Sequence, residues 1–87
     1  MVKQNQYFPQ SVPHPGTTLA EKLEEMGMEP KEFALRVGKP EKTITSVLKG
    51  DSSITLDMAV QFENVTRVPA HFWMRLQMGY DEYITPY

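Results

Sequence analysis

Apolar residues along this chain recur at helical intervals, three or four apart, and nowhere alternate as a half-buried strand would. Leu19, Leu23 and Met26 make the first stripe, which Gly27 ends. Thr18-Leu19-Ala20-Glu21 has the form of a capping box, so the first helix is expected to begin near Thr18. Phe33, Ala34 and Val37 make a second stripe, between Pro30, which suits a first helical turn, and Gly38, which suits a last one. Ile44, Val47 and Leu48 make a third, opened by Pro40 and closed by Gly50. Met58, Ala59, Phe62 and Val65 follow behind a capping Thr55, with Asp57 where the helix dipole favours a negative charge. A fifth stripe begins at Pro69 and carries Phe72, Trp73, Leu76 and Tyr80, with Gly79 either ending that helix or weakening it. Phe72 and Trp73 are expected to plug the end of the core. The pattern predicts an all-α fold of five short helices joined by tight connections.

Residues 1–16 hold Pro9, Pro13, Pro15 and Gly16 and are read as an extended arm, whose Tyr7 and Phe8 would dock on the domain or on a second copy. Residues 17–80 form the domain and 81–87 a C-terminal tail. Met74, Met78, Tyr80, Tyr83, Ile84 and Tyr87 exceed what a small helical core needs. Part of that surplus is assigned to self-association, for which methionine and aromatic side chains are suited.

The second and third stripes, with the glycine turn between them, have the layout of a helix-turn-helix, whose second helix enters a DNA major groove. The outward face of that second helix carries Lys42, Thr45, Ser46 and Lys49. The formal net charge of −2 argues against a generic nucleic-acid binder, but the charge is unevenly spread. Residues 30–50 carry Lys31, Arg36, Lys39, Lys42 and Lys49 against Glu32 and Glu41, while the segments on either side are acidic. The positive charge coincides with the proposed motif, where phosphates would be met. The plainer alternative is an unevenly charged, solvated surface.

The 87 residues make one domain near the small end of what folds without staples, and with no cysteine there is neither a disulfide nor a thiolate metal site. No apolar run is long enough for a membrane span and no signal-peptide pattern opens the chain, so a cytoplasmic protein without membrane contact is expected. His14 and His71 lack a ligand-like spacing, so no metal or other cofactor is expected. His14 is expected to bond backbone at the arm–helix junction, and His71 to lie at the surface. No nucleophile triad, carboxylate pair or phosphate-cradling glycine loop emerges, which disfavours an enzyme.

The chain resembles the lambda-repressor-like (XRE) class of DNA-binding domains and, within it, the HigA-type antitoxins. His14-Pro15-Gly16 stands before the first helix as in that family, and the run from Phe33 to Gly38 and from Thr43 to Gly50 has its glycine spacing. Ile54-Thr55, Asp57-Met58-Ala59, Pro69-Ala70, Phe72-Trp73-Met74, Leu76-Gln77 and Tyr80-Asp81 look like the family's tail, which is the specific part of the match. The resemblance spans roughly residues 13–83. It implies a homodimer on an inverted-repeat operator, a repressor of its own operon, and the antitoxin of a HigBA-like module that neutralises a HigB-like, mRNA-cleaving toxin. Lys39-Pro40-Glu41-Lys42-Thr43-Ile44 is also similar to the N-terminal domain of longer proteins with an ImmA/IrrE-type metallopeptidase-like domain. This sequence contains no HExxH, and no peptidase activity is expected of it.

In repressor-like domains the groove-reading side chains come from the start of the third helix, which implies Glu41, Lys42, Thr45 and Ser46 here. Lys42 would donate to guanine O6 and N7, and Glu41 would accept from cytosine N4. Lys31, Lys39 and Lys49 would hold phosphates, with the Thr43 hydroxyl as a further contact. Pro30 stands where many relatives place a phosphate-touching Gln or Ser, its neighbour Glu29 would repel that phosphate, and Asp51 stands where a basic residue is common, so modest affinity, raised by dimerisation or a toxin partner, is expected. Two other functions remain open: a stand-alone phage-like or chromosomal repressor without a toxin, and a protein-interaction module that no longer reads DNA.

Overall fold

The computed structural model describes residues 13–85. Its elements are α1 (Pro15–Met26), α2 (Pro30–Val37), α3 (Glu41–Leu48), α4 (Leu56–Thr66) and α5 (Ala70–Ile84), with no strand among the described residues. The five-helix, all-α architecture agrees with the apolar rhythm. Tyr7, Phe8, Pro9 and Tyr87 lie outside the described residues.

α1 starts three residues before the expected Thr18. His14 is its cap, and the ring Nδ1 accepts a hydrogen bond from the Gly16 N–H at 2.9 Å. Pro15 supplies the first helical position, where its missing N–H costs nothing and its fixed φ is already helical. Pro15 and Gly16, assigned to the arm, are therefore the first turn of a helix. Gly16 is required there for space, since a Cβ at this position would stand 2.0 Å from the Val47 carbonyl oxygen of α3. At the other end, α5 runs through Gly79 to Ile84, so residues 81–84 of the expected tail are helical.

α2 ends at Gly38, whose φ of 71° lies in the left-handed region that L side chains rarely adopt. Gly38 and Lys39 there donate to the carbonyls of Leu35 and Ala34, which closes the helix and turns the chain into α3. Thr55 caps α4 as expected, its hydroxyl accepting from the Met58 N–H. α4 ends less conventionally, on Arg67 at φ 66°.

α3 packs on α1 and α2, while α4 lies between α2 and α5. The core comprises Leu19, Leu23, Phe33, Ala34, Val37, Ile44, Val47, Ile54, Met58, Ala59, Phe62 and Trp73. Three aromatic rings run through it edge to face. Phe62 of α4 meets Phe33 of α2 at 5.1 Å and Trp73 of α5 at 5.5 Å between centroids. Such pairs add about 0.5–1.5 kcal/mol each beyond the area they bury.

Two expected core residues are placed otherwise. Met26 is exposed, and Met28, beyond the glycine turn, packs against the core in its stead. Phe72 is 42% exposed, because α5 turns its Trp73–Gln77 edge inward. Leu76 and Tyr80 flank that edge and are half-buried. No helix among the described residues is long and apolar enough to cross a membrane.

Candidate nucleic-acid interface

α3 places its apolar side, Ile44 and Val47, fully in the core, which leaves the opposite side outward. Glu41, Lys42 and Lys49 are exposed there, and Thr43, Thr45 and Ser46 are half-buried. The hydroxyls of Thr45 and Ser46 are already engaged. Thr45 Oγ1 donates back to the carbonyls of Glu41 and Lys42, both at 3.1 Å. Ser46 Oγ shares a hydrogen bond of 2.7 Å with Ser52 Oγ in the connection to α4. Ser46 thus fastens the helix end to the next loop.

The basic residues divide into two groups. Lys31 on the first turn of α2, Lys42 on α3 and Lys49 at its C-cap are exposed and have no carboxylate at salt-bridge distance among the described residues. Arg36 and Lys39 are engaged. Arg36 forms a pair of bonds to the Glu32 carboxylate one turn earlier. Lys39, in the turn between α2 and α3, is paired with Asp57 on the first turn of α4. An exposed pair of this kind contributes roughly 0–1 kcal/mol, but it ties the turn of the motif to the helix behind it.

The loop after α3 is held from two sides. Asp51 N–H donates to the Ser46 carbonyl at 2.9 Å, and His14 stands beside Gly50. The His14 ring also meets Tyr80 of α5 edge-on at 4.7 Å. Burial pushes the His14 pKa below its ordinary 6.5, partly offset by the nearby Ser52 backbone and by Asp81 and Asp51. From the far side, Gln77 Oε1 accepts from the Ile54 N–H at 2.8 Å. Lys39–Asp57, His14–Tyr80 and Gln77 were not foreseen from the sequence. Gln77 alone left a sign, being a polar residue one turn after Trp73 on a stripe that should be apolar.

A separate, apolar groove of about 500 Å³ lies where α5 passes the start of α4, lined by Leu56, Met74 and Met78 with His71, Arg75 and Glu82 at its sides. Met74 and Met78, expected to mediate self-association, both line it. Tyr80 does not, its ring being turned to His14, and Tyr83 is exposed near the end of α5.

The helix-turn-helix family pattern matches residues 19–73, well over half of the chain. An addiction module antidote protein of the HigA family from Coxiella burnetii is 30% identical, with 87% of this chain and 98% of that one covered at a TM-score of 0.79. The chain belongs to the HigA family. A plasmid-maintenance antidote protein from Nostoc punctiforme shares 30% identity over 82% of this HigA-family chain and 78% of its own, with a TM-score of 0.78. The Pseudomonas aeruginosa antitoxin HigA, solved with the higBA promoter, shares 29% identity over 82% and 78% of the two chains, also at 0.78. A comparison with curated proteins gives no match.

Proposed function

We propose that this protein is a DNA-binding antitoxin that reads an operator with α3, represses its own operon and neutralises an mRNA-cleaving toxin. The observation that carries the reading is Lys42 and Lys49, exposed on the outward side of α3 with no carboxylate at salt-bridge distance among the described residues. That fold is shared with a HigA whose structure holds its promoter. Lys42 reaches base edges, with Glu41 and Thr45 beside it, while Lys49 and Lys31 hold phosphates. Lys39 joins them only by leaving Asp57, and Thr43 contributes a hydroxyl near the backbone.

The protein acts as a homodimer in this reading. The groove of Leu56, Met74 and Met78 is apolar, and Arg75 and Glu82 at its sides are complementary across a two-fold axis. Such pairing also offsets the modest affinity expected from Glu29, Pro30 and Asp51, because two half-sites are then engaged together. No catalytic step is assigned to any residue. A neighbouring toxin gene separates this function from that of a stand-alone repressor.

The test is binding of a labelled duplex from the region upstream of the gene, titrated with salt. Each lost phosphate contact removes roughly 0.9 from the slope of log K against log salt on B-DNA. Lys42→Ala with Lys49→Ala is expected to weaken binding strongly and flatten that slope while thermal stability holds. Unchanged binding by this double variant, or wild-type protein without preference for its own upstream DNA, would overturn the reading in favour of an interaction module.

A further inference from the structure

α5 carries one polar side chain into the interior. Gln77 is 3% exposed, on the same edge as Trp73. A buried amide costs free energy unless its donors and acceptor are all matched, so packing alone would favour leucine or methionine at this place. Its bonds show what it holds. Oε1 takes the Ile54 N–H at 2.8 Å, and Nε2 donates to Asp81 Oδ1 at 2.9 Å, with Ser53 Oγ further off at 3.4 Å. Asp81, one turn later on α5, therefore orients the amide, and the amide grips the backbone of the connection between α3 and α4.

That connection begins at Lys49, the residue that caps α3. Ser46 and Ser52 join it to α3, and Thr55 ends it as the cap of α4. Lys49 is the C-cap of α3, directly after Leu48, with its N–H still bonded to the Thr45 carbonyl. A shift of Ile54 is passed along so short a tether to the place where Lys49 stands. We propose that Gln77, oriented by Asp81, is a positioning residue for DNA recognition, which sets Lys49 against its phosphate by fixing the connection after α3. The proposal rests on the DNA-binding reading above and adds to it a residue remote from the outward side of α3.

The experiment uses the full chain and the labelled upstream duplex, with affinity measured across a salt series. Gln77→Glu keeps the acceptor for Ile54 but sets two carboxylates against each other. Adding Asp81→Asn restores a donor facing the new carboxylate. Gln77→Glu is expected to bind about tenfold more weakly, within the span of couplings carried by such networks. Its salt slope should flatten by about one, as for Lys49→Ala, and Lys49→Ala added to it should flatten the slope no further. The Gln77→Glu, Asp81→Asn pair should recover both quantities. A merely structural role would lower the melting temperature and leave the slope of the folded protein unchanged.

Wild-type slope and affinity in folded Gln77→Glu, or failure of the double variant to recover them, would overturn the proposal. Asp81→Ala, at an exposed position, carries the same test if Gln77→Glu does not fold, with a smaller loss of affinity and slope expected and no change counting against it. Wild-type protein that ignores its upstream duplex overturns the functional reading instead, an outcome distinct from any variant result.

Discussion

Gly16 shows how a single missing side chain sets the distance between two helices. Its backbone lies on the Val47 carbonyl so closely that a methyl group has no room, and Val47 belongs to the helix that carries Lys42 and Lys49. Gly16→Ala must push α1 from α3, an overpacking cost of about 1–3 kcal/mol that urea unfolding would register. Gly79→Ala, at an open position within α5, is the matched control and should not destabilise the protein. At this scale the sequence was legible where a residue follows its helix stripe and misleading where two residues compete for one place. Leu19, Phe33, Ile44 and Phe62 are buried as their spacing required. Met26 lost its place to Met28 because the chain re-enters the core after the glycine turn, and Phe72 lost to Trp73 because only one edge of α5 faces inward. Hydrophobicity alone ranks neither pair.

The start of α1 depends on a titratable cap. The Gly16 N–H needs a bare Nδ1 on His14, and the ring sits between α5, with Tyr80 and Asp81, and the connection bearing Asp51 and Ser52. Burial disfavours the charged ring, so the folded-state pKa lies below 6.5 and the unfolded chain binds the proton more readily. The stability this cap contributes is therefore whole above the unfolded pKa and falls as pH drops through the folded one. Urea midpoints measured between about pH 7 and pH 5 should decline more for the wild type than for His14→Asn, which caps without titrating. Equal declines would assign the acid sensitivity to other groups. The capping-box pattern at Thr18 pointed to a later start because local sequence cannot show that Pro15 and His14 are backed by α3 and α5. The boundaries set by proline and glycine, at Pro30, Gly38 and Pro40, needed no such tertiary support and were legible.

Across the whole molecule, the two proposed faces differ in kind: one is basic and belongs to α3, the other is apolar and belongs to α4 and α5. Net charge hid the first, since the acidic segments outweigh it, and only its segmental distribution exposed it. The second was legible as a surplus of methionine and tyrosine, but its membership was not, since Leu56 reaches it from another helix and Tyr80 turns away. If the apolar face joins two copies, Met78→Asp should shift sedimentation to the monomer and weaken operator binding while the helical circular dichroism at low urea is kept, because Met78 is 61% exposed in the single chain. A variant that sediments as the wild type would place the dimer contact elsewhere. The aromatic series gives a direct way to follow all of these variants. Trp73 is the one tryptophan of the chain, wholly buried against Phe62, and its Nε1 has no hydrogen-bond partner among the described residues. Its fluorescence thus begins from a dry, apolar surrounding, and the red shift as water reaches the indole reports the parting of α5 from α4 in unlabelled protein.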